Sequence, residues 1–149
     1  MALKMLTPLQ QIEARMQQYA ERSKKVLSRR VAYIAEDAIN EQRRPDVGNW
    51  TDRTKNLRGS LGYKVNIDGT QKVNGLNPEA SQEARDTSAA VIAKTMQKYR
   101  EGIVIVACAG MPYAGYVSRR GYNVFDTVKI KMVEGLKKME DKMKRGAAV

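Results

Sequence analysis

The chain has 149 residues, 27 Lys and Arg against 16 Asp and Glu, a formal charge of +11, no histidine and one cysteine. That length fits one domain, and a lone Cys108 excludes an internal disulfide and any zinc site built from several thiolates. Without histidine, Ser-His-Asp and Cys-His catalytic arrangements are impossible and the commonest transition-metal ligand is missing.

The positive excess is spread along the chain: +5 over residues 1–60, +3 over 61–125 and +3 over 126–149. A dispersed field of this sign favours a polyanion nearby and also aids solubility. No apolar run approaches the ~20 residues of a membrane span, and "MALKMLTPLQQ" lacks the pattern of a secretory signal. The simplest setting is a reducing cytoplasm.

"TPLQQIEARMQQYAERSKKVLSRRVAYIAEDAINEQRR" predicts a long helix over 7–44. Thr7 is a suitable N-cap, Pro8 suits the first helical position, and Gln10 completes a capping box. Leu9, Ile12, Met16, Ala20, Leu27, Val31, Ile34 and Ala38 recur at spacings of three and four as one stripe. Arg43-Arg44-Pro45 ends it. A helix this long exceeds what one small core needs, a first sign of assembly with a neighbour.

Residues 45–60 read as a polar loop with one helical turn. "LGYKVNI" over 61–67 then alternates, with Leu61, Tyr63, Val65 and Ile67 on one face, as a half-buried antiparallel strand does. "DGT" signals a turn and "QKV" a short return strand. Asn77-Pro78 is expected to open an inserted helix over about 78–100, with Ala89, Ile92, Met96 and Tyr99 on its apolar face. "IVIVACA", residues 103–109, is uninterrupted and β-branched, and is expected to be the most buried strand. A short helix over 112–119 and a brief strand over 122–125 follow. Asp126 is expected to cap a final helix over 126–145, its apolar face formed by Val128, Met132, Leu136, Met139 and Met143. The expected fold is a single α+β domain over 1–149: a small, mostly antiparallel sheet packed with helices, with a long N-terminal helix and a C-terminal helix.

Few residues suggest chemistry. No phosphate-cradling glycine loop occurs. Glu36-Asp37 is a paired carboxylate inside the long helix, where a solvated face outweighs a metal site. Cys108, within an apolar strand, reads as a small buried hydrophobe. No lysine is singled out as a nucleophile, so neither an enzyme nor a cofactor is expected.

Two stretches stand out. "DRTKNLRGSL" leads straight into the first strand, and "GMPYAGYVSRRGYNVF" follows the apolar one, holding four of the nine aromatic residues. Both resemble the tail-completion, or head–tail joining, family of tailed bacteriophages. Asp52, Thr54, Leu57, Arg58 and Ser60 match that family's Asp–x–Thr–Gly–x–Leu–Arg–x–Ser segment, with Lys55 at the usual glycine. Tyr113, Ala114, Tyr116, Val117 and Gly121 match its Tyr–Ala–x–Tyr–Val–Glu–x–Gly segment, with Ser118 at the usual acid and one extra residue before the glycine. The order of elements agrees over most of the chain, residues 74–100 forming an enlarged connection.

The resemblance implies a virion structural protein without enzymatic activity or cofactor, assembled in the host cytoplasm as a homo-oligomeric ring at the neck. Its partners would be the phage connector and portal-side proteins and the tail proteins, with non-specific contact to DNA crossing the channel and none to a membrane. Rings need heterologous contacts that close by rotation, and Tyr and Arg are enriched in interfaces. Trp50, Arg58, Tyr116, Arg119 and Arg120 are therefore expected at the interface, with Tyr113 and Phe125 pinning the short helix to the sheet. The competing reading is a small basic nucleic-acid-binding protein, although no recognition-helix or RNA-type aromatic motif is present.

Overall fold

The computed structural model describes residues 9–44, 50 and 55–146. Thr7, Pro8, Asp52 and Thr54, with the roles expected of them, lie outside these.

Helix α1 (Leu9–Arg43) runs unbroken for 35 residues, roughly 50 Å at 1.5 Å per residue. Its second half buries Ser28, Val31, Ala32, Ala35, Ala38, Ile39 and Gln42. Four of these are alanine or serine, so the helix backbone can lie close to the sheet. Its first half buries nothing: residues 9–22 are all exposed, with Leu9 at 62%, Met16 at 67% and Tyr19 at 75%. The expected single stripe is thus two. Val31 and Ala38 enter the core and Leu27 and Ile34 are half-buried, while Leu9, Ile12, Met16 and Ala20 face water.

After the single turn α2 (Asn56–Gly59), β1 (Leu61–Ile67) and β2 (Thr70–Asn74) form the expected hairpin. Asp68 and Gly69 both take positive φ, 49° and 84°, as a two-residue loop matching the twist of its strands requires. The Asp68 carboxylate accepts hydrogen bonds from Lys24 Nζ and the Gly102 N–H, each at 2.8 Å, tying the hairpin tip to α1 and to the start of the third strand. The Lys24 hydrogen bond, followed by that of Gly102, holds this carboxyl below its usual range. A register shift beyond Val65 leaves Lys72 as an extra residue of β2.

Strand β3 (Ile103–Ala109) pairs antiparallel with β1 from Leu61↔Ala109 to Ile67↔Ile103, giving the order β2-β1-β3. The apolar run expected to be the most buried strand is therefore an edge strand. All seven of its residues are half-buried, and β1 holds the centre. Helices cover both faces of β3, which accounts for its composition, but its outer edge pairs with no described strand.

Helix α3 (Gln82–Met96) is shorter than expected from 78–100. The Asn77 side chain accepts from the Glu79 N–H at 3.0 Å in a local turn, and Ser81 is the residue that caps the helix, accepting from Ala84 N at 3.2 Å. Ala84, Ser88, Ile92 and Met96 are its buried face; Tyr99 lies beyond the helix, 58% exposed. Helix α4 (Ala114–Arg119) follows β3, but residues 122–125 form no strand, the chain bending at Val124 and Phe125. Helix α5 (Asp126–Lys144) closes the chain. Asp126 is its first residue and not its cap. Asn123 instead accepts from Thr127 N at 3.2 Å and donates to the Thr127 hydroxyl.

The fold is α+β, with α1 and α5 on one face of the sheet and α3 on the other. The main core joins Ala35, Ala38 and Ile39 of α1, Leu61, Tyr63 and Val65 of β1, and Val128 of α5. A second core joins Trp50, Leu57, Ala84, Met111, Ala114 and Val124. Among the described residues no helix is long and apolar enough to cross a membrane.

Candidate functional site

The second core is where the two singled-out stretches meet. Leu57 is 2% exposed, and Ala114 and Val117 of α4 pack into the same cluster. Ser60 is the pin between them. Its hydroxyl donates to Leu57 O at 2.8 Å and accepts from Met111 N at 3.4 Å. Its carbonyl accepts from Ser88 Oγ at 2.7 Å and Gly110 N at 3.2 Å. Four hydrogen bonds, to α2, α3 and the link after β3, thus converge on one buried serine. Gly110 has no room for a side chain there, because a Cβ would stand 2.4 Å from Ser88 Oγ.

Among the described residues of these stretches, two backbone positions take left-handed conformations. Lys55 has φ 61° immediately before α2, a region costly for a side chain bearing a Cβ. Gly121, at φ 88°, follows the last turn of α4, where glycine commonly ends a helix; its N–H donates to Ser118 O at 3.0 Å.

Of the residues expected at an interface, Trp50 and Arg58 point inward. Trp50 is 9% exposed, with the Arg58 guanidinium 4.1 Å above its ring. Arg58 also donates to Gln42 O at 3.2 Å and Arg44 O at 2.8 Å, satisfying carbonyls at the C-terminus of α1. The pair is a staple between α1 and α2. Tyr116, Arg119 and Arg120 lie outward on α4. Arg120 donates to Tyr116 Oη at 2.7 Å, its guanidinium 5.6 Å from that ring, and Tyr116 is 55% exposed. Phe125 packs on the main core as expected, whereas Tyr113 is 39% exposed and leaves the inside to Met111 and Ala114. The spacing of Tyr113 and Tyr116 puts both on the outer side of a six-residue helix whose inner side is Ala114 and Val117.

Sequence reading passed over Arg43 and Gln42. Arg43 Nε and Nη2 donate to Leu61 O at 3.1 and 2.7 Å, and Nη2 also to Gly75 O at 3.0 Å. Burial lowers its pKa below the ordinary arginine value. Gln42, 1% exposed, donates to Asn123 O at 2.7 Å and so holds the 122–125 bend against α1. Only their place at the end of the buried stripe could have signalled either residue.

Several titratable side chains in and near the main core make structural contacts. Glu36 accepts from the Tyr63 hydroxyl and from Asn40 Nδ2 at 3.2 Å, a structural use of the carboxylate. Burial, then the bond to Glu36, pushes the Tyr63 phenol above its usual range. Burial raises the Cys108 thiol to about 11, leaving it protonated near neutral pH. Among the described residues no group of three His, Cys, Asp or Glu could hold a metal ion. Between α3 and the β1–β2 hairpin lies an open cleft of about 530 Å³, lined by Lys64, Asn66, Gln71, Met96 and Arg100 among others. The chain matches no family model, no curated protein and no solved structure.

Proposed function

We propose that this chain is a subunit of a homo-oligomeric ring at the neck of a tailed bacteriophage, joining the head connector to the tail and letting DNA pass. The observation that supports this most is the convergence of the two motif stretches on one core. Leu57, Ser60, Ala114 and Val117, which carry much of the resemblance, share a packing unit although residues 62–109 separate the stretches. The resemblance thus rests on residues that depend on one another physically. Lys55 adds to it, because the position where the family uses glycine has the left-handed φ that glycine tolerates.

An assembly role also accounts for what the domain leaves outside. Tyr116, Arg119 and Arg120 form an exposed aromatic and basic surface of the kind enriched in interfaces. A net charge of +11 suits a subunit near passing DNA, because it does not repel phosphates. No catalytic step is assigned.

Mass photometry and negative-stain electron microscopy of the purified chain, without nucleic acid, should show closed rings. Tyr116→Ala combined with Arg119→Ala should weaken assembly while circular dichroism stays unchanged. A chain that stays monomeric, alone and with connector or tail-tube protein, overturns the reading. Salt-sensitive DNA binding by such a monomer would favour the nucleic-acid-binding alternative.

A further inference from the structure

One face of α1 that the domain never uses repeats with the period of a coiled coil. Leu9, Ile12, Met16, Tyr19, Val26 and Tyr33 fall at alternating steps of three and four, with Ser23 and Arg30 at the two remaining positions. That is the 3.5-residue spacing of heptad a and d positions, sustained over more than three heptads. All six are exposed, from 38% at Ile12 to 75% at Tyr19. The core-facing residues of α1 centre roughly 140° away round the helix at 100° per residue; Leu9 and Met16 lie on the line of the half-buried Leu27 and Ile34, while Tyr19, Val26 and Tyr33 turn further from the core.

The flanks of the seam differ in character. On one side stand Arg15, Arg22 and Arg29, one per heptad, all exposed and with no acidic partner among the described residues. On the other stand Glu13, Ala20, Leu27 and Ile34, the last two half-buried, with Ile34 against Gly135 of α5; Glu13 lies N-terminal to the positions that would face the arginines of a parallel copy.

Charge decides what could cover this face. An antiparallel second copy would set Arg22 against Arg22 and Arg15 against Arg29, like charges at close quarters. A parallel copy would set the three arginines opposite Ala20, Leu27 and Ile34, which offer no counter-charge. A phosphodiester backbone could meet the arginines but has nothing for Leu9, Ile12, Met16 and Val26. An acidic amphipathic helix satisfies both the seam and its flank. We propose that the outer face of α1 is a docking seam for a helix of another protein, apolar at its a and d positions and bearing Glu or Asp where it faces Arg15, Arg22 and Arg29. The seam stands whether or not the chain forms rings.

The test is fluorescence anisotropy of the full chain with synthetic four-heptad peptides, Ile at a and Leu at d, carrying either Glu or Lys at every e and g. The Glu peptide should bind at least tenfold more tightly than the Lys peptide, less so at high salt. Combining R15E, R22E and R29E should invert that preference, a gain that unfolding cannot imitate. Ile12→Asp with Tyr19→Asp should abolish binding with circular dichroism unchanged, whereas Tyr116→Ala with Arg119→Ala should leave it intact even where assembly fails. Absence of binding, equal affinity for both peptides, or tighter binding of duplex DNA overturns the proposal. So does self-association in sedimentation that the Ile12 and Tyr19 substitutions remove, because a second copy would then be the occupant.

Discussion

From Ser28 to Gln42, α1 buries mostly alanine and serine, with Val31, Ile39 and Gln42; from Leu9 to Val26 it turns leucine, isoleucine, methionine, tyrosine and valine to water. Both halves are amphipathic, and the half with the larger apolar side chains is the one left uncovered. Close approach needs small residues, so the packed half is built from alanine and serine around Ile39, whereas a seam awaiting another helix needs knobs. Helical periodicity shows that a face exists, but side-chain size along it separates the face that seats a backbone from the face that receives a partner.

This contrast can be broken by substitution. The largest effect is expected at Ile39, which is fully buried: Ile39→Ala should cost about 2–5 kcal/mol in urea unfolding, through lost transfer energy and the cavity left behind. A loss below 1 kcal/mol would mean that the second half of α1 is not the packed half. A smaller effect of opposite sign is expected where the chain re-enters the domain after α1. Lys55→Gly relieves the left-handed strain at some entropic cost in the unfolded chain, for a net gain of about 0.5–1 kcal/mol. A loss of stability there would show that the Lys55 side chain makes a contact worth more than the strain. The smallest effect belongs to the projecting half: Ile12→Ala or Met16→Ala should change the stability of the isolated chain by no more than about 0.5 kcal/mol. A larger loss from either would show that the chain already covers its own seam.

The elements whose signals are local were legible from sequence. The alternation of Leu61, Tyr63, Val65 and Ile67, the Asp68-Gly69 turn and the long helix with its end at Arg43 each stand in the structure as read. What depended on spatial neighbours was not. Seven apolar residues read as the most buried strand because both faces of β3 are covered, yet sequence carries no mark of an open edge. Asn123 caps α5 although Asp126 stands at the apparent boundary, and Ser81 displaces Asn77-Pro78 as the start of α3; in both cases competing polar side chains were settled by hydrogen-bond geometry. Of the candidate site, the convergence on Ser60 was not visible, and the inward turn of Trp50 and Arg58 needed the end of α1 as their partner. The heptad seam was visible in principle. Grouping Leu9, Ile12 and Met16 with Val31 and Ala38 in one stripe hid it, because Tyr19, Val26 and Tyr33 then fell off the line.

The strand order has a consequence for the order of folding. β1 reaches β2 across two residues, but it reaches β3 only across residues 68–102. Closing that longer loop costs roughly 2–3 kcal/mol more entropy than closing the hairpin, since the penalty grows with the logarithm of loop length. The β1–β2 hairpin can therefore form early and alone, while the ladder that completes the main core waits for most of the chain to be made. Until then the flank of β1 that β3 will occupy is an unpaired apolar edge, open to any other nascent copy synthesised beside it.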